Sequence, residues 1–109
     1  MSFRKIIKKI LDFRNKRNWK KFHSPKNLAI SVSIEAAELL EKFQWLNEQE
    51  SLAIIKDNQI KKEIADEIVD VLWYLLLLAY DLDIDIENAF KNKILENNKK
   101  YPIKKVKEF

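Results

Sequence analysis

The chain contains no cysteine and no glycine, and one histidine and two prolines among its 109 residues. Without cysteine there are no disulfides, thiolate metal sites or thiol redox chemistry. Without glycine there is neither a P-loop nor a dinucleotide-binding fingerprint, because both need glycine where the backbone approaches phosphate. Asn-Gly hairpins are missing as well, which argues against a β-rich fold. The longest apolar run, Val71 to Tyr80, lies between Asp70 and Asp81 and is too short to span a bilayer. The basic N-terminus lacks the apolar core of a signal peptide. These absences predict a cytoplasmic protein with no membrane partner. Any phosphate chemistry must rely on side chains and metal.

Apolar residues make up 47% of the chain and charged residues 35%, which fits a soluble globular domain rather than a disordered one. The length suits one domain, residues 1–109, with a modest core. Hydrophobic periodicity predicts four helices. The first runs from Phe3 to about Asn18, with Phe3, Ile6, Ile7, Ile10, Leu11 and Phe13 on its apolar face. Ser24 and Pro25 suit the N-cap and first turn of a second, reaching about Leu46. A polar stretch from Asn47 to Asn58 reads as a loop or short helix. A third helix is predicted from about Gln59 to Leu82, and a fourth from Asp83 or Asp85 to about Lys100. The expected fold is an all-α four-helix bundle. The third helix is apolar nearly all round beyond Asp70, including Trp73, Leu76 and Leu77, more than four short helices can cover. A symmetric homo-oligomer, dimer or tetramer, is therefore expected.

Charge is segregated. Residues 1–27 carry a net +9, residues 28–98 a net −9 and residues 99–109 a net +4. Most such runs are solvated helix faces. Two acidic segments depart from that pattern. Glu35 and Glu38 lie in Ile34-Glu35-Ala36-Ala37-Glu38-Leu39-Leu40, and Glu67 and Asp70 in Asp66-Glu67-Ile68-Val69-Asp70-Val71-Leu72. At about 100° per residue, Glu35 falls on the apolar stripe of Leu28, Val32, Leu39 and Phe43, and Glu67 on that of Ile60, Ile64, Val71, Leu75 and Leu78. Glu38 and Asp70 sit on the shoulders of these stripes. An unpaired carboxylate on a core-facing stripe is costly, and a cation shared between two helices removes the cost. An all-oxygen donor set selects Mg²⁺, with Mn²⁺ as a substitute. A di-iron bundle needs Glu-x-x-His pairs, and His23 stands in none. Glu41, Glu63 and Asp66 read equally well as exposed helix charges paired with lysines.

The order of motifs then points to a family. Phe13-Arg14-x-x-Arg17-x-Trp19, Phe22-His23-x-Pro25-x-Asn27-Leu28, Glu35-x-x-Glu38-x-x-Glu41-x-Phe43-Gln44-Trp45, Glu67-x-x-Asp70-Val71-Leu72-x-Tyr74-Leu75 and Lys93-x-x-x-Asn97-x-x-x-Tyr101-Pro102 follow one another along the chain. Together they resemble the all-α nucleoside triphosphate pyrophosphohydrolases of the MazG type, nearest the dCTP pyrophosphatase branch. The resemblance implies hydrolysis between the α- and β-phosphates of a nucleoside triphosphate, giving monophosphate and pyrophosphate. It implies that Glu35, Glu38, Glu67 and Asp70 hold Mg²⁺ and that Glu38 and Glu41 are the candidate catalytic carboxylates. Trp19, His23, Trp45 and Tyr74 would line the nucleotide pocket. Lys93, Asn97 and Tyr101 would reach phosphates or sugar. Ala37 stands where the family often has glycine; alanine is a good helix former and leaves the motif intact.

Two other classes remain in view. Basic residues interleaved with Phe13, Trp19, Phe22 and Tyr101 suit a nucleic-acid-binding helical module, although the acidic centre would repel such a ligand. A purely structural helical oligomer leaves the acids on both apolar stripes without a reason.

Overall fold

The computed structural model describes residues 1–103; the end of the Lys-rich tail lies outside the described residues. The described residues form five α-helices and two short 3₁₀ turns, with no strand among them. These are α1 (Phe3–Lys16), α2 (Pro25–Glu41), α3 (Glu48–Ala53), α4 (Asn58–Asp81) and α5 (Ile86–Lys100), with 3₁₀ turns at Lys20–Phe22 and Ile54–Lys56. No helix among them is long and apolar enough to cross a membrane.

Local chemistry sets each start. Ser2, Ser24, Asn47, Asp57 and Asp85 cap the five α-helices, each accepting a backbone N–H from its helix's first turn. Asn47 and Glu50 complete a reciprocal capping box, so the polar stretch after α2 forms a short helix.

The stops are equally specific, and they shorten two expected helices. α1 ends at Lys16 rather than Asn18, because Asn18 takes the left-handed conformation (φ 54°). The N–H groups of Asn18 and Trp19 then bond back to the carbonyls of Asn15 and Arg14. α4 ends in the same way, with Asp83 at φ 57° and the N–H groups of Asp83 and Ile84 bonding to Tyr80 and Ala79. Both are Schellman closures with Asn or Asp where glycine is usual. α2 ends at Glu41 rather than near Leu46, since Lys42 and Phe43 turn tightly onto Leu39 and Leu40.

α2 and α4 form the central pair. Lys42 meets Glu63, Glu38 faces Glu67, and His23 packs edge-on against Tyr74. Positions rise along one helix as they fall along the other, so the two run antiparallel. α1 lies across the C-terminal half of α4, and the core where they meet α2 holds Ile10, Leu28, Leu76 and Leu77. Leu76 and Leu77 are thus core residues of a single chain and not the surplus apolar surface expected of them. That surplus lies instead at Ile68, Val69, Leu72 and Leu75, all exposed.

α5 joins the rest only through its first turns, where Ile86 packs on the core and Phe90 stacks on Phe3. Its remaining residues are exposed. One chain therefore packs three long helices, and its fourth stands off.

One charge pair is built into this frame. Arg14 of α1 is 2% exposed and donates to both carboxylate oxygens of Asp81, at 2.8 and 2.9 Å. Removing either partner alone leaves a buried charge unmatched, at a cost of roughly 3–5 kcal/mol. Asp81→Asn or Arg14→Met is expected to lower the urea midpoint accordingly. Hydrogen bonds from Arg14 hold the Asp81 carboxyl below the usual aspartate value, outweighing the opposing effect of burial. The pair's stabilisation is fully present above the unfolded aspartate pKa of about 3.9 and is lost as pH falls through the depressed folded value. Urea midpoints between neutral and strongly acid pH, compared with Asp81→Asn, check both the loss and its sign.

Candidate active site

Where α2 and α4 face each other, three acids converge. One carboxylate oxygen from each of Glu35, Glu38 and Glu67 lies within 4.8 Å of the other two. The helical frame explains why. Glu35 and Glu38 are one turn apart on α2, and Glu67 meets them from the middle of α4. The second oxygens of Glu35 and Glu67 are buried without a hydrogen-bond partner. Burial pushes the Glu35 carboxyl up to about 7, reinforced by Glu38, Asp70 and Glu67. Glu67 is raised by burial and by Glu38 and Asp70, with Lys42 pulling the other way. Mutually repelling carboxylates with orphaned buried oxygens are poorly compensated by the protein itself. Carboxylate oxygens gathered this closely are the kind of donor set that a hard divalent cation takes. The residues fit a hard divalent cation.

The other sequence candidates fall into three groups. Asp70 is half-buried and raises both glutamates electrostatically, although it lies outside the close trio. Glu41, the last residue of α2, is exposed and also outside the trio. Beside the acids stands an aromatic wall. Tyr74 is half-buried, and its hydroxyl is pushed up by burial and by Glu35, Asp70 and Glu38. Its far side meets His23, with ring centroids 6.4 Å apart. Trp19 precedes the 3₁₀ turn that leads to His23, and packs edge-on against Phe13, which in turn packs on Trp73. Trp45 lies in the turn after α2, 86% exposed, and is not part of this wall. Lys93, Asn97 and Tyr101 lie on or just after the exposed part of α5, beyond the turns that touch the rest of the chain.

Arg14 and Asp81 also reach this region, since both act electrostatically on His23. The sequence signal for Arg14 is its place on the apolar face of α1, four residues after Ile10 and seven after Ile7. Two basic residues on which a nucleic-acid interface would draw are already engaged: Arg14 by Asp81, and Arg17 over the Phe13 ring at 3.5 Å.

Residues 30–109, which contain both acidic motifs, match the MazG-like family. The chain is 33% identical over 92 residues to dCTP pyrophosphatase 1 of Rattus norvegicus, covering 84% of this chain and 54% of that protein. It is likewise 33% identical over 91 residues to dCTP pyrophosphatase 1 of Homo sapiens, with the same coverages of 84% and 54%. The chain thus spans about half the length of the curated relatives it matches. The crystal structure of a pyrophosphatase from Archaeoglobus fulgidus DSM 4304 superposes with a TM-score of 0.84 at 43% identity, covering 91% of each chain. Paired acids on two antiparallel helices, an all-helical frame and these similarities agree: the chain belongs to the MazG-like family.

Proposed function

We propose that this chain hydrolyses nucleoside triphosphates to nucleoside monophosphate and pyrophosphate, with Mg²⁺ as cofactor and pyrimidine deoxynucleotides of the dCTP kind as preferred substrates. The observation that carries the reading is the Glu35–Glu38–Glu67 trio with its two orphaned buried oxygens, set beside the Tyr74–His23 wall. The base preference draws on the relatives named dCTP pyrophosphatase 1.

Glu35, Glu38, Glu67 and Asp70 are the residues to hold the metal. A Mg²⁺ ion held by these residues would supply neutralisation of phosphate charge and polarisation of the phosphoryl group. The protein's own groups do the rest. Glu38 or Glu41 accepts the proton of the attacking water, a carboxylate's ordinary role once the water is held beside it. Tyr74 stands near the acids and packs against His23, so a nucleotide with its phosphates at the acids would set its base against these rings, with Trp19 at the start of the same loop. Trp45, although exposed in one chain, offers a further stacking face.

Lys93, Asn97 and Tyr101 fit this reading only if they come from a second copy of the chain. The protomer exposes 9130 Å², whereas a compact protein of its mass exposes about 6,400 Å². The difference is roughly 2,700 Å² for each protomer, so a pair hiding it would bury about 5,400 Å², at the upper end of obligate interfaces. A homodimer or homotetramer in the cytoplasm, in which basic residues of one protomer serve the acidic site of another, accounts for both the surface and the stranded helix.

The test is a panel of common ribo- and deoxyribonucleoside triphosphates with pyrophosphate detection. Pyrophosphate release is expected with Mg²⁺ or Mn²⁺, fastest for a pyrimidine deoxynucleotide, and none after EDTA treatment. Full activity in metal-free protein would refute the metal assignment, and equal rates across the panel would refute the base preference.

A further inference from the structure

The most buried ion pair among the described residues has no part in the hydrolysis just proposed. The Arg14 and Asp81 side chains are 2% and 9% exposed. Two of the guanidinium nitrogens are spent on Asp81, while the third, Nε, is buried with no partner. His23 Nδ1 is buried with no partner too. Arg14 also acts through its backbone. Its carbonyl accepts the N–H of Trp19 in the closure that ends α1. One residue thus ties the Trp19–His23 loop to α1 through its carbonyl and α1 to the end of α4 through its side chain.

The groups facing His23 are Arg14 from α1 and Asp81 and Tyr74 from α4, while Lys20 of its own loop acts on Asp81.

We propose that Arg14 and Asp81 form a positioning clamp for base recognition, joining α1 to the end of α4 beneath the Trp19–His23 loop and so keeping His23 packed against Tyr74 at the base subsite, without themselves touching the nucleotide. The clamp rests on the reading of this wall as the base subsite. Burial, and after it the Arg14 charge, hold His23 below its ordinary value, with Asp81 opposing.

His23 is the chain's only histidine, so one imidazole resonance reports it alone. Arg14→Met leaves Asp81 unopposed, and the NMR-monitored pKa of His23 rises. Asp81→Asn leaves Arg14 unopposed, and it falls. A pair without influence on the imidazole gives no such opposite shifts, and their absence overturns the proposal; the positioning role itself is decided by the kinetics. Since either single change strains the fold, the double variant Arg14→Met/Asp81→Leu, which removes both buried charges, keeps the kinetic test open. It is expected to fold and to keep kcat while KM for the favoured nucleotide rises about tenfold, the worth of one oriented hydrogen bond, with discrimination among bases lost in proportion. A folded double variant with wild-type KM and base preference also overturns the clamp. Should the wild-type protein with Mg²⁺ release no pyrophosphate from any nucleotide, the functional reading fails by itself; the imidazole titration still decides whether the pair controls His23.

Discussion

Glu35→Gln and Glu67→Gln are each expected to abolish pyrophosphate release and, at the same time, to raise the melting temperature of the metal-free protein. The two effects have one cause. The metal-free site holds three carboxylates within 4.8 Å, with orphaned oxygens on Glu35 and Glu67. A neutral amide removes one repelling charge and can donate a hydrogen bond to a neighbouring carboxylate. In the proposed reaction it also removes one of the ligands of the metal. A metal that contributes several kcal/mol of transition-state stabilisation accounts for a loss of more than about a thousandfold. Calorimetry with and without Mg²⁺ separates the terms. Wild-type protein should be stabilised by Mg²⁺ through mass action, and the variants should respond far less. Near-normal kcat in either variant would end the assignment, as would an unchanged thermal response to Mg²⁺.

The second large effect is expected from Leu72→Glu and Val69→Glu. These side chains are 44% and 52% exposed in the protomer. In a monomer a charge at such positions changes stability by about 0.5 kcal/mol or less. Both residues also line a shallow apolar groove with Phe3, Ile6, Phe13 and Leu76. If that groove is an interface between copies, each glutamate becomes a buried unpaired charge and dissociates the assembly. Activity should fall with it, because in the proposed assembly Lys93, Asn97 and Tyr101 reach the site of a neighbouring protomer. Sedimentation and pyrophosphate release measured on the same samples give the check. A wild-type protein that is a compact, active monomer at micromolar concentration would defeat the prediction.

The helical frame and the acidic trio are legible in the sequence because both are periodic. Apolar stripes on α2 and α4 mark their buried faces, and Glu35 and Glu67 stand out as charges where apolar residues belong. Arg14 carries the same signal on α1. Its partner is not legible, since 67 residues separate Arg14 from Asp81 and only tertiary packing brings them together. The surplus apolar face is harder to place. Along the run from Val71 to Tyr80 nearly every residue is apolar, so periodicity no longer separates core from surface. Leu76 and Leu77 pack against α1 and α2, while Leu75, next along the chain, is exposed. Trp45 depends on where α2 stops, and that stop is a tight turn carrying neither proline nor glycine to announce it.

The two left-handed closures, Asn18 and Asp83, have a consequence for the unfolded chain. Glycine there would relieve strain at each turn, but it would also enlarge the ensemble of conformations lost on folding. A chain with no glycine at all begins from a narrower denatured state, so ordering its backbone costs less entropy per residue. For a protomer that buries only five apolar side chains among its described residues, that saving offsets part of what a larger core would otherwise supply.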